Sequence, residues 1–201
     1  MSATPPPPAS AADGDLVYAY KPSLLGAPWE FRLTPDALEW QAGRHRGRIP
    51  YARITRIRLS FRPLTMQTRR FVTEIWWLGG PRLSIASTSW RSLVEQAAQD
   101  RDYGAFVRAL NARVAAAGAA VSFETGAPAV LYWPGLAVFI AVTVTLTVLA
   151  VRALAAGATA GAALVAAFFA LFIWQSGAYF RRNRPGRYRP EAPPRELVPD
   201  G

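Results

Sequence analysis

Cysteine is absent from the chain, and histidine occurs once, at His45. Disulfides, thiolate metal sites and histidine clusters are therefore excluded. A Ser-His-Asp arrangement would need His45, which lies in an arginine-rich turn with no nucleophile motif beside it. It reads as a solvated turn residue. Acids are sparse too, with none between Glu124 and Glu191. The Asp-Arg-Asp triplet at 100–102 reads as a helix start rather than a metal site. No glycine-rich phosphate loop occurs; Leu78-Gly79-Gly80-Pro81 reads as a turn. The sequence thus predicts no enzyme activity, no catalytic residues, no metal and no cofactor.

Lysine is almost missing: Lys21 is the only one among 23 basic residues. The arginine excess gives a net charge of +10 and a pI near 11.0. It favours acidic partners, either nucleic acid or an anionic membrane surface. Alanine is abundant as well, a joint bias that a GC-rich genome produces without selection for binding. The densest run, "RHRGRIPYARITRIRLSFRP" from Arg44 to Pro63, holds seven arginines and no acid. Three readings compete for it: a nucleic-acid strip, a membrane-facing strip, or the solvated face of a sheet.

The second half lacks charge. Between Thr125 and Phe180 only Arg152 is charged. Val130–Val151 is an uncharged run of 22 residues and Ala162–Phe180 one of 19. Each is long enough to cross a hydrocarbon core about 30 Å thick as a helix. Val142–Val148 (VTVTLTV) alternates like a strand, but a lone strand cannot satisfy its backbone in lipid, so the run reads as helix. Thr143 and Thr147 share a face; they either bond back one turn or meet the neighbouring helix. The short connection "RALAAGATAG" predicts a hairpin, with Gly157 and Gly161 as a small-xxx-small pair. Without acids, the helices lack the usual residues of an ion or proton pathway.

Basic residues set the orientation. Arg181, Arg182, Arg184, Arg187 and Arg189 follow the second run, whereas the bend holds only Arg152. The prediction is a two-pass protein of the cytoplasmic (inner) membrane with both termini in the cytoplasm. Its interface anchors are Tyr132 and Trp133, then Arg152, then Trp174, Tyr179, Arg181, Arg182 and Arg184. The first fifteen residues are rich in Pro, Ala and Ser and lack the regions of a signal peptide. They read as a disordered leader.

Residues 16–127 then form one cytoplasmic domain, 128–180 the hairpin (helices about 130–151 and 162–180), and 181–201 a basic, proline-rich tail. The tail reads as extended: unstructured, or docked on a partner or on the chain's own domain. In the domain, "WEFRL", "ALEWQ" and "RLSIAST" are short apolar segments between turn residues, the pattern of antiparallel strands. "ITRIRLSF" sets Ile57, Leu59 and Phe61 against Arg56, Arg58 and Ser60. "RFVTEIWW" puts Phe71, Thr73, Ile75 and Trp77 on one face. Trp90 to Arg101 fits either a loop or a first helical stretch. Beyond it, Tyr103, Phe106, Val107, Leu110 and Val114 recur at helical spacing, with Asp102 as expected N-cap and Gly118 as stop.

On "FRLTPDALEW", "RGRIPYARITRIRL" and "YGAFVRALNARV" the chain resembles bacterial pleckstrin-homology-like domains found beside transmembrane helices, over roughly residues 29–117. The resemblance implies an α+β fold: a small antiparallel β barrel or sandwich with a C-terminal helix, here followed by a two-helix transmembrane hairpin. It implies no enzyme activity and transfers no site residue. Nucleic acid is not an expected partner, because the helix Tyr103–Val114 carries only Arg108 and Arg113 and no recognition motif occurs. A linker, Gly118–Pro128, would hold the domain near an anionic leaflet, where each basic residue contributes about 1 kcal/mol. The candidate lipid- or partner-binding residues are Arg44, Arg46 and Arg48 in a turn, and Arg56 and Arg58 on a strand. A merely solvated face remains the plainer alternative. The expected role is a non-catalytic, membrane-anchored binding or scaffold protein whose partners are membrane lipids and an unidentified protein or second copy. The alternative is an accessory subunit of a transporter, assembly or envelope complex that acts through the hairpin.

Overall fold

The structure, a computed structural model, describes residues 15–63, 69–91 and 96–199. The leader predicted at 1–15 lies outside the described residues, apart from Asp15. The fold is α+β: antiparallel sheets first, then helices.

β1 (Leu16–Tyr20), β2 (Trp29–Leu33), β3 (Ala37–Ala42) and β4 (His45–Pro50) form a four-stranded sheet in chain order. Strand alternation turns Tyr18, Tyr20, Phe31, Leu33, Leu38 and Ile49 inward. A 3-10 turn, Tyr51–Arg53, leads into a second sheet made by β5 (Ile54–Phe61), β6 (Phe71–Trp77) and β7 (Leu83–Ala86). β5 and β6 pair with Ile57 opposite Ile75 and Leu59 opposite Thr73. Ile57, Leu59 and Phe61 are buried, the face that the two-residue period predicts. Tyrosines near the core find backbone acceptors across the fold: Tyr18 donates to the Ala86 carbonyl at 2.6 Å, Tyr20 to Ser84 at 2.7 Å and Tyr51 to Thr34 at 2.7 Å. Burial pushes the Tyr20 hydroxyl up to about 12, against the opposing charge of Arg70.

A β8–β9 hairpin (Thr88–Trp90, Gln96–Ala98) and helix α1 (Asp100–Ala116) follow. The stretch Trp90 to Arg101 is thus a short hairpin and the first helical turn, with 92–95 outside the described residues. α1 buries Tyr103, Phe106, Val107, Leu110 and Val114, as its spacing predicts. It starts earlier than expected: Gln99 holds the N-cap position, without a side-chain bond, and Asp102 sits inside the first turn. Asp100 and Asp102 there still favour the helix dipole. Gly118 follows the helix at φ +68°, the left-handed stop expected of it.

The segment from Gly118 to Pro128 is not a free linker. Ser122–Thr125 forms β10, which runs parallel to β5 and extends the second sheet. α2 (Ala129–Ala155) and α3 (Thr159–Arg182) then make an antiparallel hairpin, each helix long and apolar enough to cross a membrane. Both outrun the uncharged segments, since the alanines around the bend are strong helix formers. The threonines satisfy themselves within α2: Thr143 donates to Phe139 O and Thr147 to Thr143 O, both at 2.8 Å. The two glycines make no tight packing motif. Gly157 turns the bend at φ +73° with nothing near its missing Cβ, and Gly161 meets only Ala158 at 4.0 Å. Phe139 joins the helices instead, with ring centroids 5.2 Å from Phe172 and 5.0 Å from Phe180.

The tail returns to the domain. Gly186–Arg187 forms β11 against β10, giving the order β11-β10-β5-β6-β7. Tyr188 packs edge-on to Phe123, and Leu197 and Val198 enter the core beside α1. Of the three readings of this segment, docking on the chain's own domain is the one observed, through β11 and the core contact.

Candidate basic surface at the hairpin–domain junction

Register builds this surface. Along one row of the second sheet's outer face, Arg187 of β11 lies opposite Glu124 of β10, Glu124 beside Arg58 of β5, and Arg58 opposite Glu74 of β6. Charges therefore alternate across four strands, the favourable arrangement for cross-strand neighbours. Arg58 reaches one Glu124 oxygen through Nε at 3.1 Å and Nη2 at 2.6 Å. Arg56 adds its Nε at 3.3 Å from the other oxygen. Partial burial works against the Glu124 charge, but the hydrogen bond and charge of Arg58, with Arg56 and Ser122, outweigh it and hold the carboxyl below its ordinary value. Glu74 is buried and pairs with Arg62 at 2.9 Å and Arg82 at 2.8 Å. Two acids are thus offset by four arginines, leaving the face basic.

Trp76 collects the same cations. The guanidinium carbons of Arg56, Arg58 and Arg82 lie 5.3, 5.2 and 5.9 Å from its ring centroid. Arg56 and Arg58 are legible in sequence as outward residues of one strand. Trp76 and Arg82 are not, because the period of a strand does not say which strand lies beside it. The one available signal is that Trp76 alternates with Thr73, Ile75 and Trp77, and so faces away from the core.

The structure divides the five predicted arginines. Arg44, Arg46 and Arg48 sit on the β3–β4 hairpin of the first sheet, apart from Arg56 and Arg58 on β5. Arg48 is tied to Asp36 at 2.6 Å and Glu39 at 3.5 Å. The hydrogen bond from Arg48 lowers the Asp36 carboxyl. Arg44 and Arg46 are exposed and have no ion pair among the described residues. Of the helix anchors, Trp133, Arg152, Trp174, Tyr179, Arg181 and Arg184 are exposed. Tyr132 is not: it is buried between the helices, donates to Phe180 O at 3.2 Å and packs edge-on against the Phe180 ring. It works as a helix contact, since its hydroxyl finds a protein acceptor. Arg182 is half-buried, its guanidinium 4.8 Å from the Phe61 ring centroid.

Asn183 fastens the hairpin to the sheet. Beyond Thr125 the β5 edge has lost its neighbour, and the Asn183 amide takes that place. Phe61 N–H donates to Asn183 Oδ1 at 2.9 Å, and Asn183 Nδ2 donates to Phe61 O at 2.7 Å. On the other flank, Gly126 N–H donates to Leu59 O and Ala127 N–H to Asn183 O. Both ends of the hairpin are thus hydrogen-bonded to β5 and to each other. No cluster of three or more metal-ligating side chains occurs among the described residues. No protein-family model, curated protein or solved structure matches the chain.

Proposed function

We propose that the chain is a non-catalytic, membrane-anchored binding or scaffold protein, whose pleckstrin-homology-like domain contacts a protein partner or the anionic lipid surface. Two antiparallel meanders closed by α1 support the pleckstrin-homology-like reading. The arginines after α3, against the lone Arg152 at the bend, support an inner-membrane topology with the domain and tail in the cytoplasm. The observation that carries the proposal is the double fastening of the hairpin through β10 and Asn183. It holds the sheet that carries Trp76 and its arginines directly against the hairpin instead of leaving it on a tether.

A photo-crosslinking residue placed at Arg56 or at Phe168 in intact membranes tests this. Phe168 is exposed on the hairpin. Adducts to one defined protein or to lipid headgroups from position 56 are the expected result. Adducts from 168 alone would instead identify an accessory subunit acting through its helices.

A further inference from the structure

A groove of about 340 Å³ opens where the edge of the second sheet meets the first turn of α2, walled by Arg58, Glu124, Thr125, Pro128, Ala129 and Arg187. Its charge is positive. Glu124 is already compensated by Arg56 and Arg58, while Arg187, in register with it, is exposed and has no ion pair among the described residues. The groove also lies at the N-terminal end of α2, the positive end of that helix's dipole. The depth is defined as well. Ala129 precedes the exposed Trp133 by one helical turn, a rise of about 6 Å, and interfacial tryptophans mark the headgroup level.

We propose that this groove binds the phosphate of an anionic membrane phospholipid, with Arg187 as its free guanidinium and Arg58 held in place by Glu124. A planar guanidinium suits a phosphodiester through two parallel hydrogen bonds. The inference rests on the membrane-anchored reading and adds a specific lipid site to it. The source is the bilayer rather than free phosphate, because the groove lies beside the start of the apolar helix.

Native mass spectrometry of the full chain, delipidated in detergent and titrated with phosphatidylglycerol or phosphatidylcholine, tests it. One phosphatidylglycerol should bind in preference to phosphatidylcholine. R187Q should weaken that preference about fivefold, the effect of one arginine at an anionic surface. R187K should retain most of it, and R44Q/R46Q all of it. Equal preference in R187Q and the wild type overturns the groove. If R44Q/R46Q alone loses the preference, the groove fails while lipid contact by the domain stands. No preference in the wild type overturns both. Competition by millimolar inorganic phosphate would reassign the site to a soluble anion and overturn the lipid proposal.

Discussion

At the scale of single residues, the junction depends on Asn183 and Gly126. Asn183 is buried, and its amide bonds both polar groups of Phe61 at the open edge of β5. Asn183→Ala orphans two buried backbone groups, each costing about 1–3 kcal/mol. Thermal unfolding of the full chain in detergent should show a midpoint several degrees lower. Asn183→Asp keeps the acceptor but loses the donor, and should fall between. Gly126 cannot be replaced either. A Cβ there would lie 2.3 Å from Asn183 O and 2.4 Å from Arg184 O, at φ +77°. Gly104 gives a cleaner probe, since a Cβ on it would lie 2.0 Å from Pro199 O. Gly104→Ala raises helix propensity by about 1 kcal/mol yet expels the tail's end. Limited proteolysis should then cut near Leu197 in the variant and spare it in the wild type. None of these roles is legible in sequence. Asn183 and Phe61 are 122 residues apart, and an asparagine after an apolar run looks like any other turn residue.

Among the elements, legibility follows length and period. β2, β5 and α1 repeat their apolar residues often enough to show a face. β10 and β11 do not: they span only Ser122–Thr125 and Gly186–Arg187. Their pairing comes from β5 offering an edge, a tertiary cause that no local pattern carries. The β10–β5 contact also has a pH signature. Arg58 and Arg56 hold Glu124 below its ordinary value of 4.5. A carboxyl whose folded pKa is depressed stabilises the fold fully above its unfolded pKa and loses that contribution as pH falls through the folded one. Stability should thus be flat near neutrality and decline below about pH 4.5. Glu124→Gln should reduce the part of that decline that Glu124 contributes, read by denaturation midpoints from pH 7 to pH 3.

For the whole molecule, the sequence divides hairpin from domain at residue 127 and leaves the tail's docking on the domain as one reading among others. The folded unit includes residues on both sides of the helices, because Leu197 and Val198 complete the core. Burying such side chains contributes about 1.5–3 kcal/mol each. A chain stopped after Arg182 loses them together with Asn183 and β11, and should unfold with poor cooperativity. A chain stopped before the leucine, after Glu196, should keep the junction and lose only the core contact. A reporter fused after Gly201 tests the topology: activity is expected only in cytoplasmic formats, and a translocated reporter would refute it. The same geometry sets an order on biosynthesis. Residues 183–199 leave the ribosome after both helices, so the β5 edge and the space beside α1 stay open until α3 has returned. In the proposed two-pass topology, a molecule whose second helix failed to cross would strand its tail on the side away from the domain. Its second sheet would then lack β11 and its core would lack Leu197 and Val198, so that in the proposed topology the domain is complete only when the hairpin has returned.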